Sequence, residues 1–410
     1  MTEEGVLPRP TGNRATFRGN SKAIERRAAR ELLLLCASSS ITPKSREQIY
    51  QILGRGVDWK YLLELAALQG VTPLVAYNLV ANDSPVQIPQ PYLDQLKQTY
   101  HQTLYRNMVL TGELTSVLAA FRKRGVEVIT LKGTPLAEIL YGNPALRTVS
   151  DMDLLVNPDK VRLSESILKE LGYKKLDSRS QWNHPFHEVP YFKQAAFPMF
   201  IEIHRDLADP KLVSVPTQEI WRRAQPIELQ GLPILVLSPE DNLLFLAQNL
   251  FKQDTHLLKS LCDVAQLLKK YALTLYWDYI EEAAQSWRVD SALYFSLRQA
   301  RDILGAPVPI SRLEALKPGW WRRFLFNFLM NREVLISSIR GDRLRSWTLT
   351  FAGSLVMKHV RQTLAVLSRH QGPSKRAAWL RTAIWISLVL LAALRRNMVR
   401  MTSGGWRRAS

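Results

Sequence analysis

Two carboxylates, Asp151 and Asp153, lead into an apolar, β-prone run in Arg147-Thr-Val-Ser-Asp-Met-Asp-Leu-Leu-Val156. The run reads as a buried strand. Residues i and i+2 of a strand face the same way, so the two carboxylates stand side by side roughly 7 Å apart along the backbone. Anions so placed repel one another unless a cation lies between them. On that reading, Asp153→Asn relieves repulsion and raises the melting temperature of the metal-free protein. Hard oxygen ligands of this kind suit Mg²⁺ or Mn²⁺, and those ions suit phosphate chemistry. Asp-x-Asp alone is a common accident in a chain of 410 residues, so its surroundings decide.

Upstream, Val126-Glu-Val-Ile-Thr-Leu131 is a second β-like run, followed at once by Lys132-Gly133-Thr134-Pro135. Thr134 is a natural N-cap and Pro135 suits a first helical position, which predicts a helix to about Tyr141, stopped by Gly142. A strand, a glycine turn and a helix N-terminus together favour an anion. With a single glycine it is not the Gly-x-x-x-x-Gly-Lys-Ser/Thr loop, and alone it is an ordinary strand-to-helix turn. Downstream, Met199-Phe-Ile-Glu-Ile-His204 alternates, with Phe200, Glu202 and His204 on one face and Ile201 and Ile203 on the other. A carboxylate among β-branched residues must be solvated, paired or metal-bound. If this strand lies beside that of Asp151, Glu202 completes a three-carboxylate cluster; otherwise it is a solvent-facing edge residue.

In order and spacing, Leu131-Lys-Gly133, Tyr141, Arg147 to Val156, Gly172-Tyr173 and Ile201-Glu-Ile-His204 resemble poorly characterised bacterial nucleotidyltransferases of the DNA polymerase β-like superfamily. Asp58-Trp59, Gln69-Gly-Val71-x-Pro73-Leu74 and Leu261-Cys-Asp263-Val-Ala265 extend the resemblance to residues 30–305. It implies an α+β fold, a small mixed-sheet core flanked by N- and C-terminal helical regions. It further implies divalent metal (Mg²⁺ or Mn²⁺) on Asp151, Asp153 and Glu202, with Glu202 helping to deprotonate an acceptor hydroxyl. A nucleoside triphosphate such as ATP is the implied donor. Gly133 and Thr134 would hold its phosphates, Lys132 and Arg147 would neutralise them, and His204 would contact substrate or orient Glu202. The chain departs from the pattern in having Gly133-Thr134 for Gly-Ser or Gly-Gly, and Asn249 and Gln253, with His256 nearby, in the region where relatives carry histidines.

Charge is unevenly spread. Residues 311–410 hold 19 Lys and Arg against 3 Asp and Glu, residues 1–30 hold 7 against 3, and the remainder is close to neutral within a total of +19. The C-terminal segment also carries six of the eleven tryptophans. Its most apolar run, 382–394, is shorter than the ~20 residues of a spanning helix. Basic flanks and tryptophan suit a helix lying on an anionic membrane surface, ahead of simple packing on the body or single-strand nucleic-acid binding. Trp347–Met357 is a second such stretch. Two cysteines, Cys36 and Cys262, suggest neither a disulfide framework nor a zinc site, and the N-terminus lacks a signal-like apolar run. The expected location is cytoplasmic, peripheral at the inner face of the membrane.

The expected organisation is a disordered basic segment at 1–30, a helical region at 31–124, the nucleotidyltransferase core at 125–236, a second helical region at 237–306 and a basic, Trp-rich helical tail at 307–410. Within it, helices are expected at Trp59–Leu68, Tyr92–Leu104 and Thr111–Arg124, a helix from Asn157-Pro158 to Gly172, a hairpin turning at Pro198, and a strand at Leu232–Leu237. Three functions compete: metal-dependent nucleotidyl transfer from a triphosphate to a hydroxyl on a small molecule, glycan precursor or protein; glycosyl transfer from a sugar nucleotide; and a silent scaffold whose tail does the work. Glycosyl transfer needs neither the Lys-Gly-Thr turn nor Glu202. A silent scaffold has no reason to keep three acidic residues together.

Overall fold

Among the described residues, five helices precede the sheet. The computed structural model describes residues 14–80, 88–176, 188–208, 215–250 and 257–329. α1 (Arg14–Cys36), α2 (Pro43–Leu53), α3 (Trp59–Leu68) and α4 (Thr72–Val80) come first. Thr42 and Asp58 cap α2 and α3 by accepting from the amides of Ser45 and Tyr61. Disorder expected over 1–30 is corrected from Arg14 onward: this is helix, with Ala28 and Ala29 buried alongside Leu32 and Leu33. The two helices expected at Tyr92–Leu104 and Thr111–Arg124 are one, α5 (Gln90–Lys123), because residues 105–110 contain no breaker and Gly112 sits inside the helix with open space around it.

The sheet follows as β1 (Val128–Thr130), β2 (Met152–Val156), β3 (Lys174–Lys175), β4 (Glu188–Gln194), β5 (Pro198–His204), β6 (Gln225–Leu229) and β7 (Leu232–Val236), in spatial order β3-β4-β5-β2-β1-β7-β6. Helix α6 (Thr134–Tyr141) links β1 to β2, α7 (Val161–Glu170) follows β2, and α8 (Thr217–Arg223) precedes β6. β2 runs antiparallel to β1 and parallel to β5. The β4–β5 hairpin forms as expected, but its turn is Ala195–Phe197; Pro198 already pairs with Gln194. β6 was not anticipated, since Pro226 weakens its strand signal. It lies at the sheet edge, where a proline is tolerated, and joins β7 through Gln230 and Gly231, both at positive φ as a two-residue hairpin turn requires.

Alternation along the strands divides the core in two. Met152, Leu154, Val156, Ile201 and Ile203 pack with Leu114 and Phe121 of α5 and Ile167 and Leu168 of α7. Ile129 and Leu155 face the other way, into a larger cluster shared with the remaining helices. Those are α9 (Pro239–Leu250), α10 (Leu257–Tyr271), α11 (Trp277–Ser286), α12 (Asp290–Leu304), α13 (Ile310–Ala315) and α14 (Trp320–Leu329). Ser238 caps α9, accepting from the Asp241 amide while its hydroxyl donates to the Asp241 carboxylate. The body does not stop at Ala306: Leu313, Leu316 and Phe326 are buried in the same core, and the Phe326 ring stacks on Phe295 at 3.8 Å. The runs at 382–394 and Trp347–Met357 lie outside the described residues. The whole is an α+β fold, a seven-stranded mixed sheet flanked by helices.

Candidate active site

Because β2 and β5 are parallel and in register, Asp153 lies directly beside Glu202. Alternation puts both, with His204 two residues on, on the face opposite Ile201 and Ile203, toward α9 and α10. Asp153 is 1% exposed. Its Oδ1 accepts from the Lys132 ammonium and from His204 Nε2, each at 3.1 Å. His204 Nε2 is also 3.7 Å from Glu202, and its Nδ1 is 3.6 Å from Glu188. Oδ2 of Asp153, by contrast, is buried without a hydrogen-bond partner among the described residues. Ligand atoms of Asp153, Glu202 and His204 all lie within 4.8 Å of one another. Two carboxylates, one of them with a buried oxygen that has no hydrogen-bond partner among the described residues, are donors that fit a hard divalent cation.

The group brought together thus contains Asp153, Glu202 and His204, with Asp151 outside it. Asp151 stands one residue ahead of β2, half-buried, its Oδ1 accepting from the Ser150 hydroxyl at 2.9 Å. Lys132 is the point where all three carboxylates meet. Burial alone would weaken its hold on a proton, but the charges of Asp153, Asp151 and Glu202 outweigh that and raise its pKa. Burial likewise opposes ionisation of Asp153, yet Lys132 and His204 together hold it well below the usual carboxylate range. Burial should also favour neutral His204, whereas its hydrogen bonds to Asp153 and Glu202 lift it to about 9. Two internal cations therefore balance the acidic cluster.

The glycine turn is tighter than its sequence suggests. Gly133, not Thr134, occupies the N-cap position of α6, at φ 81° and ψ −142°. A Cβ there would sit 3.2 Å from the Asp151 carbonyl, so both the backbone conformation and the close approach call for glycine. Thr134 is the first helical residue, and its buried hydroxyl has no hydrogen-bond partner among the described residues. Arg147 is committed elsewhere. Its Nε and Nη2 grip both oxygens of Asp263 at 2.9 Å, its Nη1 donates to the Gly133 carbonyl at 3.3 Å, and Tyr141 donates to Asp263 at 2.8 Å. A buried guanidinium so engaged has little left for a triphosphate; it fixes the glycine turn to α10 instead.

Between the glycine turn and helices α9 and α10 lies a cavity of about 170 Å³ lined by Lys132, Gly133, Asp151, Asn249 and Lys259, with the Arg147–Asp263 pair in its wall. Sequence reading missed Lys259 and gave Asp263 no role beyond a flanking motif. Their four-residue spacing, which puts both on one face of α10, was the available signal.

The profile of a family described as uncharacterised nucleotidyltransferase matches residues 55–305. A solved structure, an antigenic nucleotidyltransferase-like protein from Paracoccidioides brasiliensis, aligns with 50% of this chain and 92% of its own at 13% identity and a TM-score of 0.32, too distant a likeness to bear on the site. No curated protein matches significantly.

Proposed function

The chain belongs to the uncharacterised nucleotidyltransferase family, and from that premise we propose that it moves a nucleotidyl group from a nucleoside triphosphate, ATP among the candidates, to a hydroxyl-bearing acceptor. Asp153 and Glu202, with Asp151 at the edge, are the proposed ligands of Mg²⁺ or Mn²⁺. The observation that carries this reading is the in-register Asp153–Glu202 pair, with a buried oxygen on Asp153 that has no hydrogen-bond partner among the described residues, beside a glycine turn that opens a helix. A bound divalent ion would supply charge neutralisation to the phosphates and, in a pair of sites, to both attacking and leaving oxygens.

The chain's own groups account for the rest. Gly133 and the first amides of α6 bind phosphate oxygens, with Thr134 behind them. Lys132, paired with Asp153 beside the glycine turn, supplies positive charge to the phosphates. Glu202, half-buried, accepts the acceptor hydroxyl's proton as that oxygen bonds to the α-phosphorus. The bond from the α-phosphorus to the bridging oxygen breaks, and pyrophosphate leaves. His204 orients Asp153 and Glu202 for this work. Arg147 acts as a positioning residue through Gly133. Equilibrium binding of the four ribonucleoside triphosphates, with and without Mg²⁺, tests the reading. Metal-dependent binding to wild type that Asp151→Asn/Asp153→Asn abolishes is expected. Binding unaffected by the double substitution would remove these residues from the site.

The basic C-terminal segment is proposed to hold the enzyme peripherally on an anionic membrane surface at the cytoplasmic face. Its charge and tryptophan content support this, as does Trp320 of α14, 74% exposed next to Arg322 and Arg323. Among the described residues no helix is long and apolar enough to cross a membrane.

A further inference from the structure

Helix α10 brings a second lysine to the cavity beside the glycine turn. Lys259 lies one turn before Asp263, whose carboxylate is neutralised by Arg147. Its own ammonium makes one hydrogen bond among the described residues, to the Thr148 carbonyl at 3.3 Å, and no ion pair. An ammonium offers three donors, so among the described residues the rest of its capacity is unused. Across the cavity stand Lys132 and Gly133, and Asn249 of α9 lines it with a buried amide nitrogen that has no hydrogen-bond partner among the described residues. Burial and the nearby Arg147 push Lys259 down to about 8, the mark of a cation short of anionic company. With Asp263 neutralised, Asp151 is, among the described residues, the one carboxylate of the lining left to attract a cation.

At about 170 Å³ the space is below the ~300 Å³ at which clefts for drug-sized ligands begin. It suits a phosphate chain, and not a whole nucleotide. We infer that Lys259 contacts the β- and γ-phosphates of the donor, so that α10 forms the second wall of the phosphate pocket opposite the glycine turn. This rests on the nucleotidyl-transfer reading above and adds a residue to it. The same contact would hold pyrophosphate before it departs, and would ignore a nucleoside monophosphate.

The test is equilibrium binding of three probes in Mg²⁺ (the triphosphate that wild type binds best, inorganic pyrophosphate, and the matching monophosphate) to wild type, Lys259→Met and Lys259→Arg. A charge-assisted hydrogen bond of ordinary strength corresponds to about a tenfold to hundredfold loss. Lys259→Met should weaken triphosphate and pyrophosphate by that factor and leave the monophosphate within about twofold, with Lys259→Arg recovering much of the loss. Lys259→Gln replaces Lys259→Met should the latter not fold. Equal losses for all three probes, or none, would overturn the inference and make Lys259 a tie between α10 and Thr148. Failure of wild type to bind any triphosphate would overturn the parent reading as well.

Discussion

Asp153 is a buried anion whose partners are Lys132 and His204, and that pairing reverses an expectation drawn from the carboxylates alone. Two aspartates on one strand should repel, so neutralising one should stabilise the metal-free protein. Here the fold already provides the compensating cations, and Asp153→Asn leaves both facing a neutral amide. Breaking a buried ion pair by removing one partner costs on the order of 3 kcal/mol or more. The substitution should therefore lower the metal-free melting temperature while abolishing transfer, and thermal unfolding in chelator checks it. His204 gives a second prediction. Its pKa is raised from 6.5 to about 9 in the fold, so the folded state holds a proton that the unfolded chain releases earlier. That stabilisation is complete below about pH 6.5 and is lost as pH climbs through about 9. In the metal-free protein, denaturant midpoints should fall across that window, and less so in His204→Asn.

The glycine turn and α10 form the element that holds the site. Ala at position 133 would adopt a positive φ and meet the Asp151 carbonyl, so Gly133→Ala should cost about 1–3 kcal/mol and weaken triphosphate binding more than it weakens folding. Asp263→Asn should act at a distance. It loosens the fork by which Arg147 is anchored, and with it the Nη1 that donates to the Gly133 carbonyl, so the loss should appear in nucleotide affinity as well as in melting temperature. The turn, α6 and the strand of Asp153 were legible in the sequence because proline, glycine and β-branched runs act within a few residues. Glu202 was legible as a conditional, since alternation fixes its face but not its neighbour strand. The Arg147–Asp263 pair spans 116 residues, and no local pattern distinguishes an arginine that reaches a phosphate from one already held by a carboxylate. The same limit applies to Thr134: its hydroxyl and the following proline indicate a cap, yet the close approach of Asp151 gives that position to Gly133.

On the scale of the whole molecule, the boundary between body and tail governs any experiment on the basic segment. Truncation after Ala306 would remove Leu313, Leu316 and Phe326 from the core, and should unfold or destabilise the enzyme for reasons unrelated to membranes. Truncation after Leu329 spares them. That form should keep its melting temperature and nucleotide affinity while losing co-sedimentation with phosphatidylserine vesicles; retained sedimentation would place the membrane contact elsewhere. The sheet itself presents Asp153, Glu202 and His204 to the helices that follow it, so the C-terminal helical unit and the core together build the site. The claim on which the rest depends is that this face binds a divalent metal with the nucleotide. Electron paramagnetic resonance of Mn²⁺ titrated into wild type and Asp153→Asn, with a saturating triphosphate, tests it most directly. Stoichiometric Mn²⁺ binding to wild type, lost in Asp153→Asn, is the predicted result. Equal Mn²⁺ binding by both proteins, or by neither, would contradict it.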